Sequence, residues 1–277
     1  MAPPYLTFLT DFGDTAPATC RGVIWSILPD ARINDLTHGS RPFGIRDAAF
    51  LLWSSMPYQP VGVHLAVVDP GVGTERRPIA VQVARGDHLV GPDNGLLMPA
   101  AERLGGIVAA HLLDNRALWR ADAVSDTFHG RDIFAPVAAH LAAGTPLAEV
   151  GTEVDSAELV PLHFPEPVVA DGALHTSVLF VDAFGNCRLA GQPADLASLP
   201  SRQHQRPRPE AGDRFTVRIG ETSLDVPWQP TFGAVAPGEL LLYEDADYAG
   251  LAIGVNQGSA ADRLGLVHDA PIVIDPA

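Results

Sequence analysis

Over the first 145 or so residues, short apolar runs alternate with amphipathic ones. Alternating or uniformly apolar runs predict strands at residues 5–9, 31–36, 61–68, 79–84 and 107–113. Apolar positions three and four apart predict helices at 20–28, closed by Pro29, and at 45–55, 99–104 and 131–143. Strands taking turns with helices argue for an α/β domain, a mainly parallel or mixed sheet flanked by helices. The pattern then changes. Beyond the proline-spaced stretch 161–167, which reads as a linker, apolar runs become short, turn-bounded and β-rich, as at 175–181, 215–219, 239–243 and 271–274, with a short helix at 262–266. That half reads as a smaller all-β barrel or sandwich. Two domains are expected, 1–160 and 168–277, and 202–209 is expected to be a polar loop.

Composition narrows the function. The 277 residues carry a formal charge of −15 and a pI near 4.9 with no basic cluster, so the electrostatic footprint of a nucleic-acid binder is missing. Cys20 and Cys187 lie far apart in sequence and fit no Cys-x-x-Cys spacing, which argues against a disulfide framework and a thiolate zinc site. The N-terminal segment has no basic region and meets Asp11 too early for a signal peptide. No apolar run reaches the roughly 18 residues of a membrane span. A cytoplasmic protein is expected, with neither nucleic acid nor membrane as partner.

The candidate chemistry lies where predicted strands end in carboxylates. Asp69-Pro-Gly-Val-Gly-Thr-Glu-Arg76 follows a strand directly, at the kind of carboxyl end where α/β folds place ligands. It lacks the Gly-Lys-Ser/Thr ending of a phosphate loop. Taken alone, a surface turn closed by a salt bridge accounts for it equally well. Thr127-Phe-His-Gly-Arg-Asp132 puts His129 at a helix start, where backbone donors favour anions, although a single histidine is more often structural. Together, Asp69, Arg76 and His129 form a carboxylate, guanidinium and imidazole set able to position and deprotonate water. Leu9-Thr-Asp-Phe-Gly13 ends another strand in Asp11, suited to a ribose diol or to capping a turn. Gly91-Pro-Asp-Asn-Gly95 reads as a turn without catalytic weight. Asp182-Ala-Phe-Gly-Asn186 repeats the strand-end carboxylate with an amide that can read an adenine edge, though turn duty is the commoner role. Asn256, in Val255-Asn-Gln-Gly258, is a cap or a ligand contact, and Phe43 and Phe232 read as core by default.

In this order, and over nearly the whole chain, these segments resemble the S-adenosyl-L-methionine hydroxide adenosyltransferases, relatives of the fluorinases and chlorinases. The resemblance implies an N-terminal α/β domain, a C-terminal β-barrel, and a homotrimer with active sites between subunits. It also implies cleavage of S-adenosylmethionine by water to adenosine and methionine, with no metal and no cofactor. By motif position, Asp69, Arg76 and His129 are implied to be catalytic and Asp11 to hold the ribose. Asn186 and Asn256 are implied to read adenine with Phe232 stacked on it, Phe43 to pack against the ligand, and Asp182 to face the methionine ammonium. The chain departs from the family in two places. Residues 13–22 form a run about two residues shorter than usual, with a proline inside. Asp247 and Tyr248 stand where many relatives carry a small hydroxyl residue and a donor for the methionine carboxylate.

The sulfonium sets the chemical problem. In-line attack at C5′ expels a neutral thioether that needs no proton, so the difficulty is making a nucleophile from water with a pKa of about 15.7. Arg76 is expected to stabilise the developing hydroxide, and Asp69 or His129 to take the proton, since arginine cannot. A halide needs no deprotonation, but at about 4 Å and an effective dielectric near 20 an ionised Asp69 repels it by roughly 4 kcal/mol. The other readings are a S-adenosylmethionine or adenosine binding module without turnover, for which Asp11, Phe43, Asn186 and Phe232 suffice, and a S-adenosylmethionine-dependent halogenase.

Overall fold

The computed structural model describes residues 4–121, 123–200 and 207–277, so most of the loop expected at 202–209 lies outside the described residues. The chain divides into two compact units, Met1–His163 and Phe164–Ala277.

The first unit is built on a six-stranded sheet. Its strands are β1 (Tyr5–Thr10), β2 (Arg32–Thr37), β3 (Val63–Val67), β4 (Pro78–Val83), β5 (His88–Pro92) and β6 (Ile107–Leu112), in the order β2-β1-β3-β5-β4-β6. The neighbours β2, β1, β3 and β5 run parallel, while β4 is antiparallel to β5 and β6. Strands β1 and β3 are buried along nearly their whole length, with Thr7, Thr10 and His64 included, because sheets of this kind are covered on both faces. Leu6 and Phe8 of β1 and Leu65 and Val67 of β3 share a buried core with Cys20 and Ile24 of α1 (Ala16–Ile27) and Val137 and Leu141 of α4 (Ala135–Ala142). Helix α2 (Ile45–Ser55) packs against β1 and β2 and pairs with α3 (Met98–Arg103).

Three local differences from the sequence pattern have proline at their centre. Helix α1 begins at Ala16 rather than residue 20, with Pro17 in its first turn, where a missing N–H is no loss. The proline in the shortened 13–22 run therefore starts a helix. Strand β5 was not expected from a segment ending in Gly91-Pro92. Pro92 faces Pro78 at the end of the β4–β5 ladder, where neither proline interrupts inner pairing, and the turn begins beyond it. The helix expected over 131–143 splits into a π-helical turn, Gly130–Phe134, and α4. Pro136 cannot donate to the carbonyl four residues back, that of Asp132, and the N–H of Arg120 takes that acceptor at 3.0 Å.

The second unit is antiparallel β. It comprises β7 (Val168–Ala170), β8 (Ala173–Val181), β9 (Cys187–Leu189), β10 (Arg214–Ile219), β11 (Thr222–Pro227), β12 (Leu240–Asp245), β13 (Gly250–Val255) and β14 (Pro271–Pro276), with short helices α5 (Pro193–Ala197) and α6 (Ala260–Leu264). The main path is β11-β10-β14-β8-β9-β13-β12, with β7 beside β8. Its ends meet: Trp228, just past β11, bridges Leu242 of β12, and the Gln229 N–H donates to the Leu242 carbonyl at 2.9 Å. The sheet is thus barrel-like and nearly closed, around a core that includes Val178, Val217, Leu242, Ile253 and Ile274. Leu241, Tyr243 and Ala252 form a separate small cluster with Phe232 and Val235.

Both cysteines are free, and burial pushes each thiol up to about 12. Among the described residues, no helix is long and apolar enough to cross a membrane.

Candidate active site

Asp69 stands two residues beyond β3. The Asn94 side chain donates to the Val68 carbonyl at 2.9 Å, so a segment that reads only as a turn braces the strand end carrying Asp69. Two tight turns then fold the chain back, with the Val72 N–H on the Asp69 carbonyl and the Thr74 N–H on the Gly71 carbonyl, both at 3.2 Å. Thr74 Oγ1 reinforces them, donating to Gly71 and accepting from the Arg76 N–H. Gly73 has φ +76°, and a Cβ there would run into the Asp126 carbonyl. A side chain would strain this loop and push away the one bearing His129.

Arg76 consequently returns onto Asp69. Its Nε donates to Oδ1 at 3.0 Å and its Nη2 to Oδ2 at 2.5 Å, a bidentate pair with side chains only 7% and 5% exposed. The guanidinium carbon lies 5.2 Å from the centre of the Phe134 ring. The same Nη2 is 3.1 Å from His129 Nδ1. A guanidinium only donates, so Nδ1 holds the lone pair and the ring proton sits on Nε2. Burial, and then the Arg76 charge, lower the His129 pKa below the ordinary histidine value, which favours this neutral form. Arg76 Nη1 is buried and has no acceptor among the described residues.

Asp132 holds the histidine loop in place. It accepts from Arg120 at 2.6 Å, from Arg131 through Nε and Nη2 at 2.7 Å each, and from the Ser125 N–H at 3.0 Å. Burial opposes its ionisation, but the hydrogen bonds from Arg131 and Arg120 prevail and hold its pKa below the usual carboxylate range. The Phe12 ring lies edge-on to Phe128 at 5.6 Å and against Gly130, which ties the loop after β1 to the histidine loop. Sequence reasoning misses Asn94 and Phe12, whose partners Val68 and Phe128 lie far off in the chain, and Asp132, whose partners are near in sequence but are gathered by an irregular loop.

Asp11, at the end of β1, is half-buried and accepts the Phe43 N–H on Oδ2 at 2.9 Å. Phe43 is 73% exposed with φ +64°, so it is a displayed aromatic held in an uncommon backbone conformation and not a core residue. The Gly13 N–H on the His38 carbonyl and Ser40 Oγ on the Thr10 carbonyl fasten segment 38–43 to segment 10–13.

In the second unit, Asp182 Oδ1 accepts the N–H groups of Phe184 and Asn186, and Oδ2 accepts Asn186 Nδ2, all at 2.9 Å. Asp182 thus closes the turn and orients the amide. Asn256 donates to the Val235 carbonyl at 2.8 Å, steadying the short turn that bears Phe232, whose ring lies 5.0 Å from that of Tyr243. Tyr248 points inward: its buried hydroxyl bonds the backbone of Leu189 and Leu251, and burial raises its pKa. Asp247 pairs with Arg188 at 2.9 Å, and Arg188 also donates to Asp245 at 3.0 Å. Neither Asp247 nor Tyr248 is posed as a donor to a carboxylate. Among the described residues, no group of three or more His, Cys, Asp or Glu side chains could hold a metal ion.

Comparison with known proteins bears on this geometry. Residues 6–151 match the model of the SAM hydroxide adenosyltransferase N-terminal domain, and residues 176–273 match that of its C-terminal domain. An (R)-S-adenosyl-L-methionine hydrolase from Salinispora tropica is 48% identical over 273 residues, covering 96% of each chain. A fluorinase from an Actinoplanes species is 28% identical over 83% of each chain. A crystal structure of a Thermotoga maritima protein superposes with a TM-score of 0.87 at 36% identity, over 98% of this chain and 99% of that one.

Proposed function

The chain belongs to the SAM hydroxide adenosyltransferase family, and from that membership we propose that it hydrolyses S-adenosyl-L-methionine to adenosine and L-methionine by in-line attack of activated water at C5′. The observation that carries the reading is the Arg76 guanidinium. It holds both oxygens of Asp69, fixes the tautomer of His129, and keeps a buried Nη1 without an acceptor among the described residues.

That geometry divides the work. Nη1 of Arg76 and Nε2–H of His129 are donors suited to a developing hydroxide, and Asp69 is the group able to accept its proton. His129 is a poor base here, because its lone-pair nitrogen already faces an Arg76 N–H. Each Asp69 oxygen accepts one bond from Arg76 and retains a second lone pair. The sulfonium departs as a neutral thioether, so the reaction asks for no metal and no cofactor. Asp11 would hold the ribose diol, Phe43 would cover the ligand, Asn186 and Phe232 would take the base with Asn256 steadying Phe232, and Asp182 would face the ammonium.

The fluorinase likeness raises the nature of the nucleophile. The repulsion expected for a halide beside a bare Asp69 does not hold, because Arg76 neutralises that carboxylate at hydrogen-bonding distance. Hydroxide is favoured on a different ground: a halide makes no use of a proton acceptor, and this site supplies one. The Salinispora relative is named for the R epimer at the sulfonium. We propose the same preference here, exerted through binding, since C5′ attack releases the same L-methionine from either epimer, its sulfur no longer a stereocentre. A homotrimer with sites between subunits, and a cytoplasmic setting consistent with two buried free thiols, complete the proposal.

The test is nucleoside chromatography after incubation with each sulfonium epimer, with and without chloride. Equimolar adenosine and methionine, faster from the R epimer and indifferent to chloride, is the expected result. 5′-Chloro-5′-deoxyadenosine would establish the halogenase, and binding without product the non-catalytic module.

His129 adds a pH signature. The lowered pKa means that the neutral, active form persists below the ordinary histidine value of about 6.5 and is lost only as pH falls further. The acid limb of kcat/KM is therefore expected below that value. His129→Gln, which keeps an acceptor and a donor without titrating, should remove the limb, and a limb unchanged in that variant would assign it to another group.

A further inference from the structure

Gly254 lies inside β13, opposite Leu241 of β12. Its φ is not in the left-handed region, so the backbone does not require glycine there. Glycine inside a strand also costs stability, through backbone entropy and the lack of a packing side chain. What the position does require is space. A Cβ on Gly254 would lie 2.7 Å from Phe232 Cε1 and 2.8 Å from Asn186 Oδ1, closer than carbon atoms sit to either.

The face involved lies outside the barrel core. Leu251, Ile253 and Val255 of β13 belong to the barrel interior, whereas Ala252 joins Leu241, Tyr243, Phe232 and Val235 in the separate cluster, and side chains alternate along a strand. On that face an aromatic ring and an oriented amide converge over bare backbone. Asp182 takes one N–H of Asn186 and holds the amide plane, and Asn256 fastens the Phe232 turn. A planar heteroaromatic base needs this combination: a ring for its face, a donor and acceptor pair for its edge, and a floor without a side chain.

We propose that Gly254 is a specificity-determining residue for the base of the substrate, its missing side chain setting the width of the slot between Phe232 and the Asn186 amide. The proposal rests on the reading that Asn186 and Phe232 contact the base. It predicts a defect in binding and not in chemistry, since Asp69, Arg76 and His129 belong to the other unit.

The experiment uses the full chain as wild type, Gly254→Ala and Gly254→Ser. Adenosine binding is measured by calorimetry, turnover of S-adenosylmethionine by product formation, and folding by thermal melting. Both variants should still melt cooperatively, at or somewhat below the wild-type temperature, because crowding Phe232 and Asn186 offsets the gain from replacing a strand glycine. Their adenosine Kd and substrate KM should rise by about tenfold to hundredfold, as for overpacking a fitted site, with kcat at saturation little changed. Wild-type affinity for adenosine in both variants would overturn the proposal while leaving the base-contact reading intact. A wild type that binds no adenosine would overturn both. Loss of cooperative melting in both variants would show that Gly254 serves the strand itself and would also overturn it.

Discussion

Arg76→Ala is expected to slow adenosine formation by at least about a thousandfold while the protein still binds substrate, because one side chain serves every element of the proposed water site. Its loss removes the buried Nη1 donor, leaves the Asp69 carboxylate without its bidentate partner, and frees His129 Nδ1 from the contact that fixes its tautomer. Removing one oxyanion donor of this kind typically costs about two to three decades, and the two further losses act in the same direction. Arg76→Lys should recover little, since a point charge can neither hold both Asp69 oxygens in one plane nor reach Nδ1 at the same time. Single-turnover formation of adenosine at saturating substrate, with substrate binding measured separately, is the relevant assay. An unimpaired single-turnover rate in Arg76→Ala would remove Arg76 from the mechanism.

The second large effect is on stability. Asp87→Ala is expected to destabilise the protein by about 3–5 kcal/mol and to lower the melting temperature by roughly 6–20 °C, without touching the reaction. Asp87 and His64 are fully buried in the first unit. The carboxylate accepts His64 Nε2 at 2.9 Å, Arg85 at 2.7 and 2.9 Å, and the Gly62 N–H at 3.1 Å, and His64 Nδ1 meets Thr7 Oγ1 at 2.9 Å. Truncating the acid leaves the fully buried His64 Nε2 without its acceptor and breaks the pair with Arg85, whose side chain is 29% exposed. Burial alone would raise the Asp87 pKa, but the bonds from His64 and Arg85 outweigh it and hold the group below the usual carboxylate range. A depressed carboxylate contributes stability that is complete above its unfolded-state value and is lost as pH falls toward the folded-state value. The wild type should therefore lose stability through the acid range, and Asp87→Ala should lose less over the same interval. Thermal melting from neutral to acid pH checks both, and equal slopes for the two proteins would contradict the assignment.

Much of this was legible in the chain. Helix α2 spans the residues its periodicity predicts, and β1 ends within one residue of expectation, because each pattern is written in neighbours two to four positions apart. Asp11, Asp69 and Asp182 stand at or beside strand ends, and the order of the motifs identified the family. Prolines marked the places where the reading and the structure differ, one through a local first-turn effect and two through a partner. Pro17 opens a helix, Pro92 closes a ladder against Pro78, and Pro136 releases the Asp132 carbonyl to Arg120. Phe43 reads as core by hydrophobicity alone, yet its backbone is held out by the Asp11 carboxylate 32 residues away.

The sequence by itself determined which residue types are present and on which local element each sits: an α/β half, a β half, and carboxylates at the ends of apolar strands. Tertiary structure alone decided what those groups do to one another. Strand β5 enters between β3 and β4, and with it Asn94 reaches the carbonyl beside Asp69. Arg76 meets a histidine 53 positions on, and that contact decides which of His129 and Asp69 keeps a lone pair for a proton. The physical reason is the range of the interactions: backbone periodicity is set by adjacent residues, whereas tautomer, charge state and open space are set by whatever the folded chain brings within about 3 Å.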